Sequence, residues 1–215
     1  MDVFHNCTIR TATPEEATLL LNISYNKIVH LNPPSTSGGL QNRPPFIRIL
    51  DASHNSMLEV PQNFLDFLAP ALRSLDLSHN SITGRVHEQA FSLLGVVQIL
   101  SLSHNNIEDL SKPSLLPLSS LQLLDLSFNR IKVLQFGQFV GLNGLRVVNL
   151  SHNKLRSLPR DVFQVSYTCI NVMLCNCYTI ILSNICIIKI LGENFYHSFY
   201  SPRKLNQLTF LTMSL

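Results

Sequence analysis

The chain has 215 residues, 46% of them hydrophobic and only 13% charged, which allows one large domain or two small ones of unusually apolar composition. The 16 Lys and Arg against 13 Asp and Glu leave a formal charge of +3. A nucleic-acid binder would carry a basic stripe, and none is visible along the chain, so nucleic acid is not expected as a partner.

The opening stretch MDVFHNCTIR (Met1–Arg10) shows no basic run followed by an apolar one, so it contains no visible signal peptide. Residues 1–17 are read as an N-terminal flank. From residue 18 a pattern begins to return. A Ser–aromatic–Asn triplet occurs at Ser24-Tyr25-Asn26, Ser53-His54-Asn55, Ser78-His79-Asn80, Ser103-His104-Asn105, Ser127-Phe128-Asn129 and Ser151-His152-Asn153, with steps of 29, 25, 25, 24 and 24 residues. A fixed period of this length marks an array of stacked units. Aligned on the asparagines, the units span 18–46, 47–71, 72–96, 97–120, 121–144 and 145–164. The segment NPPSTSGGLQNRPP (Asn32–Pro45) lengthens the first unit and reads as an irregular loop.

Apolar columns accompany the triplet. Three residues before each Asn stand Ile23, Ala52, Leu77, Leu102, Leu126 and Leu150, and five before stand Leu21, Leu50, Leu75, Leu100, Leu124 and Val148. Eight before come Thr18, Ile47, Leu72, Val97, Leu121 and Leu145, and two after come Ile28, Met57, Ile82, Ile107, Ile131 and Leu155. The two-residue spacing puts a pair of leucines on one side of a short strand and the residue between them on the other. Each unit then supplies one strand to a parallel sheet, and no unit can bury its leucines alone. After the strand the chain turns back, leaving buried backbone groups that need partners. Asn offers both an acceptor and donors. The column Asn26, Asn55, Asn80, Asn105, Asn129 and Asn153 therefore reads as a structural ladder in preference to a ligand site.

Phe64, Phe91, Phe139 and Phe163, with Leu115 in the equivalent place, recur with the period and are expected in the core, followed by Leu68, Leu94, Leu118 and Leu142. Pro61, Pro117 and Pro159 favour turns and extended pieces on this return path. The row Tyr25, His54, His79, His104, Phe128 and His152 could bind metal or sense pH. Phe128 interrupts the imidazoles, however, and the site is read as wanting a flat, half-buried ring. The serines are read as turn residues. No metal site, cofactor or enzyme constellation emerges: G-x-x-x-x-G-K-[ST], H-E-x-x-H and G-x-S-x-G are all missing from the sequence. Between the leucines, Asn22, Asp51, Asp76, Ser101, Asp125 and Asn149 are expected on the solvent face of the sheet, where a protein partner would bind.

The pattern L-x-x-L-x-L-x-x-N-x-L resembles the leucine-rich repeat. Its Phe-containing, 24-residue form is similar to the typical class found in extracellular proteins, among them Toll-like receptors, chaoptin-like adhesion proteins and small proteoglycans. The resemblance covers about three quarters of the chain. It implies an α/β solenoid with a curved parallel sheet and a mostly irregular or short helical convex side. It also implies a non-enzymatic binding module of an adhesion or receptor protein, its partner held on the concave face. An intracellular scaffold, or the repeat arm of a larger enzyme, would carry the same repeats. Asn6, Asn22 and Asn149 each open an N-x-[ST] sequon and are candidate glycan sites. Extracellular resemblance without a visible signal peptide fits a chain that is part of a longer protein.

At residue 165 the composition changes. Residues 165–215 hold four of the five Cys and four of the five Tyr, and no Asp or Ala. Cys175 and Cys177 could belong to a cysteine-bearing cap, though without the preceding strand and turn such caps have. Val165 to Ile188 carries no charge and is long enough to span a bilayer, at the cost of burying Asn171, Asn176 and Asn184. The favoured reading is translated noncoding sequence, since Gln164–Ser166 can be encoded as an intron start and the sixth unit stops unfinished. An ordered sheet is accordingly expected only through about Phe163.

Overall fold

The computed structural model describes residues 8–11, 19–33, 47–159, 162, 170–173 and 188–190. Its main sheet is assembled from β1 (Thr8–Thr11), β2 (Leu19–Asn22), β3 (Ile47–Asp51), β4 (Ser74–Asp76), β6 (Ile99–Ser101), β8 (Leu123–Asp125), β9 (Val147–Asn149), β10 (Ile170–Met173) and β11 (Ile188–Ile190), in that spatial order. All neighbours from β2 onward are parallel. β1 pairs antiparallel with β2, so the N-terminal flank supplies a strand that the repeat pattern does not announce. A second, two-stranded parallel sheet joins β5 (Thr83–Val86) to β7 (Asn106–Leu110) just past the turns.

The register follows the sequence columns. Leu50, Leu75, Leu100, Leu124 and Val148 lie opposite one another on successive strands, and all are fully buried. Ile23, Ala52, Leu77, Leu102, Leu126 and Leu150 form a second buried layer, and Ile28, Met57, Ile82, Ile107, Ile131 and Leu155 a third beyond the turn. The return path is mostly irregular. It contains α1 (Gln62–Leu68), which places Leu65 and Leu68 inward, and the single-turn α2 (Lys112–Leu115). Pro61 precedes α1 and Pro70 follows it, while Pro113 sits in the first turn of α2 and Pro117 just beyond its end, so both helices stay short. Phe91, Phe139 and Leu115 fill the return-side core as expected. Phe64 does not: α1 turns Leu65 to the inner position and leaves Phe64 partly exposed against the cluster. Phe163 lies outside the described residues.

The asparagine column is an interlocked ladder. Asn105 Nδ2 donates to the carbonyls of Leu102 and Ser103 in its own turn, both at 3.1 Å, and to Leu77 of the preceding repeat at 3.0 Å. Its Oδ1 accepts from Ile82 N–H at 2.9 Å. Asn55, Asn80, Asn129 and Asn153 repeat the arrangement, accepting from Ile28, Met57, Ile107 and Ile131. Two amide hydrogens serve three carbonyls, so one is shared. Backbone bonds run alongside: His54 N–H reaches Ser78 O, His79 reaches Ser103 O and His104 reaches Ser127 O, each at 3.0 Å.

After residue 164 the structure departs from the sequence expectation. β10 lies in register on β9, with Val172 opposite Val148 one repeat length further along, and β11 adds to β10. The sheet thus continues beyond Phe163, where the noncoding reading of the tail expects no strand. Among the described residues no helix is long and apolar enough to cross a membrane. Most of residues 165–188, including Cys175 and Cys177, lies outside them.

The ladder makes a direct prediction. Asn105→Ala orphans the Ile82 N–H and takes one of two donors from each of three buried carbonyls, a loss of about 3 kcal/mol. His104→Ala removes ring contacts worth about 1 kcal/mol. Chemical denaturation should therefore rank Asn105→Ala well below His104→Ala, and equal midpoints would contradict the ladder.

Candidate functional site

Side chains alternate across each strand, so two rows face away from the leucine core. The middle row is Asn22, Asp51, Asp76, Ser101, Asp125 and Asn149. Only its first half meets solvent: Asn22, Asp51 and Asp76 are half-buried, whereas Ser101, Asp125 and Asn149 are 1%, 1% and 3% exposed. This corrects the expectation of a solvent-facing row. The cause is local. Asp51 Oδ1 accepts from the N–H and Oγ of Ser53, Asp125 Oδ1 from Ser127 N–H, and Asn149 Oδ1 from the N–H and Oγ of Ser151. Each polar group bends onto the Ser two residues ahead and fixes the entry to the turn.

The same geometry bears on the glycan sites. Asn149 is buried and its side chain also bonds to Asp125, so it presents no free amide for a sugar. Asn22 keeps partial exposure, with its Oδ1 held by Ser24. Asn6 lies outside the described residues.

The other outward row escapes a reading that stops at the leucines. Leu20, Ile49, Ser74, Ile99, Leu123 and Val147 stand in register on six successive strands, all partly exposed. Five are aliphatic. Exposed Arg48, Arg73 and Arg146 border this row one residue upstream. The signal was present six residues before each Asn, where Leu, Ile and Val recur on the side opposite the core leucines.

At the turns, Tyr25, His54, His79, His104, Phe128 and His152 all adopt positive φ, between 51° and 56°. Such a left-handed conformation is unusual for bulky residues and costs about 1–3 kcal/mol each. The rings offset part of this by stacking in one unbroken column, with centroids 3.9 to 4.1 Å apart and planes within 9° to 11°. The rings stack flat as expected, but only His54 and His152 are half-buried; Tyr25, His79, His104 and Phe128 are exposed. Lone pairs of parallel imidazoles run side by side and do not converge, which suits stacking and disfavours chelation. Among the described residues no cluster of three or more His, Cys, Asp or Glu is arranged to hold a metal ion.

The turn flank also gathers charge that is scattered in the sequence. Arg130 and Lys132 flank buried Ile131, Lys154 and Arg156 flank buried Leu155, and the two segments are neighbours through the Lys154 N–H bond to Ile131 O. All four cations are exposed. A basic patch therefore exists where the linear sequence showed no stripe, and the sequence-based exclusion of nucleic acid loses its support.

Burial acts on two titratable groups in opposite directions. It lowers His79 to about 4, with the neighbouring His104 and His54 adding to the effect. It raises Asp125 to about 6, against the hydrogen bonds from Ser127 and Asn149. His104 is lowered and Asp76 raised, again mainly by burial.

The sequence matches the family description "Leucine rich repeat" over residues 45–107, 70–131 and 119–165. Leucine-rich repeats are in general non-catalytic binding modules, their sheet face the contact surface. No curated protein matches the chain. Among solved structures, it is similar to a chain in a crystal structure of a TLR13–ssRNA13 complex, at 24% identity and a TM-score of 0.46. The match covers 57% of this chain and 17% of that one.

Acid should separate the two titrations. Between pH 6.5 and 4 the unfolded chain takes up a proton that the folded His79 ring refuses, so this group makes stability fall as pH drops. Between pH 6 and 3.8 folded Asp125 takes up a proton that the unfolded chain refuses, so this group makes stability rise as pH drops. His79→Phe, which copies Phe128, should flatten the loss of melting temperature on acidification from pH 7 to 4.5. Parallel pH profiles for this variant and the wild type would contradict the role of the stack.

Asp125→Asn, which copies Asn149, should do the reverse. It removes the cost of a buried carboxylate, up to about 3 kcal/mol at pH 7, and should steepen the acid loss. A variant less stable than wild type at pH 7 would contradict the burial account.

Proposed function

The chain belongs to the leucine-rich-repeat family, and from that premise we propose that it is a protein-binding module of an extracellular adhesion or receptor protein. The observation that carries this reading is the aliphatic row Leu20, Ile49, Ile99, Leu123 and Val147, interrupted only by Ser74, in register across six strands of the outward sheet face. Partly exposed aliphatic side chains in a continuous line gain by being covered, at roughly 25 cal/mol per Å² of apolar area. The arginines beside the row, and the carboxylates of Asp51 and Asp76 on its other side, give that face a polar rim. The partner contact proposed from the sequence at Asn22, Asp51 and Asp76 stays within this face. Ser101, Asp125 and Asn149 serve it as structural support.

The extracellular setting rests on the resemblance to the typical repeat class and on the Asn22 sequon. The chain spans 17% of the receptor chain it matches, so the activity of any longer protein is part of the proposal.

The test uses the full chain secreted behind an added signal peptide and screened against a panel of displayed ectodomains. Binding to a panel member should be lost in Ile99→Arg and kept in Leu93→Ser on the return segment, and Asn22 should carry a glycan by mass mapping. Binding indifferent to Ile99→Arg would refute the face. An empty Asn22 would favour an intracellular scaffold.

A further inference from the structure

We propose that the turn flank of the last two matched repeats is a second interaction surface, which binds a sulfated polysaccharide through Arg130, Lys132, Lys154 and Arg156. The choice of a sulfated polysaccharide over other polyanions rests on the extracellular reading above. The surface itself rests on geometry alone.

Alternation about buried Ile131 and Leu155 turns the two pairs outward on the same side. For extended backbone the Cα atoms that carry these side chains are about 7 Å apart within a segment and about 5 Å apart between segments. The result is a small lattice of four positive charges. Among the described residues Glu108 in the preceding repeat is the carboxylate paired with it, bound to Lys132 at 3.0 Å. Lys132 holds that carboxyl below its usual range, and Arg130 and Lys154 reinforce the effect, which places all three cations within electrostatic reach of one point. Among the described residues Arg130, Lys154 and Arg156 form no salt bridge.

Among the described residues a pair of cations occurs only in the fifth and sixth repeats. The equivalent positions in the first four are Lys27 and Val29, Ser56 and Leu58, Ser81 and Thr83, and Asn106 and Glu108. A solvated flank that needed only solubility would mix signs along its length. Concentrated charge of one sign instead draws a polyanion and raises its local concentration.

The ring column weighs separately against single-stranded nucleic acid. Single-stranded nucleic acid gains affinity by stacking bases on aromatic faces. The rings nearest the cations along the chain, Phe128 and His152, already lie face to face at 3.9 Å, and Phe128 stacks on His104 on its other side. No base can enter between them. What this flank offers is charge at fixed spacing with donors for anionic oxygens, which suits sulfate groups along a sugar chain.

The experiment is a titration of the full chain with a fluorescent heparin octasaccharide at several salt concentrations, with a single-stranded RNA and a DNA duplex of matched charge as competitors. Wild type should bind the octasaccharide, more weakly as salt rises. Arg130→Ser with Lys154→Ser, which copies Ser56 and Ser81, should weaken binding about tenfold and flatten the salt dependence. Glu108→Gln removes the opposing carboxylate and should strengthen binding about threefold, a gain that misfolding cannot mimic. Unchanged affinity in the double variant, or no gain from Glu108→Gln, would overturn the surface. Tighter binding of RNA or duplex than of the octasaccharide at equal salt would overturn the choice of partner. Ile99→Arg should leave octasaccharide binding unchanged, so failure here and failure of the sheet-face reading give different results.

Discussion

A buried carboxamide shared between two repeats is the interaction on which the rest of this structure depends. Each Asn from Asn55 to Asn153 donates to carbonyls in its own turn and in the turn before, and accepts the N–H two residues past the preceding Asn. Asp at this position would keep the acceptor and lose both donors, and Ser could not reach three carbonyls. Leaving these backbone groups dry and unpaired would cost about 1–3 kcal/mol apiece, a large share of the stability of any domain. The turn therefore has one solution, and every repeat adopts it. The left-handed residue before each Asn follows from the same turn, and its side chain is thrown into line with those above and below it. Stacked rings are the consequence of the ladder and a partial repayment of its backbone strain.

The core was legible because it recurs. Leu75, Leu100, Leu124 and their column partners announced both the strand and its buried side, and the structure pairs them in register. Three things were not legible, each for a physical reason. Ser101, Asp125 and Asn149 are buried although they stand on the side opposite the core leucines, which alternation alone does not reveal. Leu65 takes the core place expected for Phe64 because α1 shifts the inward position by one residue. β10 arises where the Asn column has ended; the signal was the single repeat step from Val148 to Val172, with Cys177 standing in the Asn position. The basic lattice illustrates the converse. Residues 24 apart in sequence become neighbours only when the repeat is stacked, so a charge pattern must be read on the aligned repeats and not along the chain.

The surfaces divide by chemistry. The sheet face offers aliphatic area with a polar rim, the kind of surface that a folded protein covers. The turn flank offers cations on one side of a closed aromatic column. Along the chain the ring stack stands between the strand residues and the cations. Burial of its imidazoles favours their neutral form, while burial of Asp125 favours the protonated acid. The two groups oppose one another on acidification, so the array as a whole is expected to respond to acid less than either group would alone.

Native-state hydrogen exchange on the full chain tests the ladder most directly. The N–H groups of Met57, Ile82, Ile107 and Ile131 bond to the Oδ1 of the next repeat's Asn. If the carboxamide locks adjacent repeats, these four amides should exchange as slowly as the strand amides of Leu75 and Leu100, opening only when the repeats themselves come apart. Rapid exchange at the four while the strand amides remain protected would show that the sheet holds the array together without the asparagines, and would contradict the account.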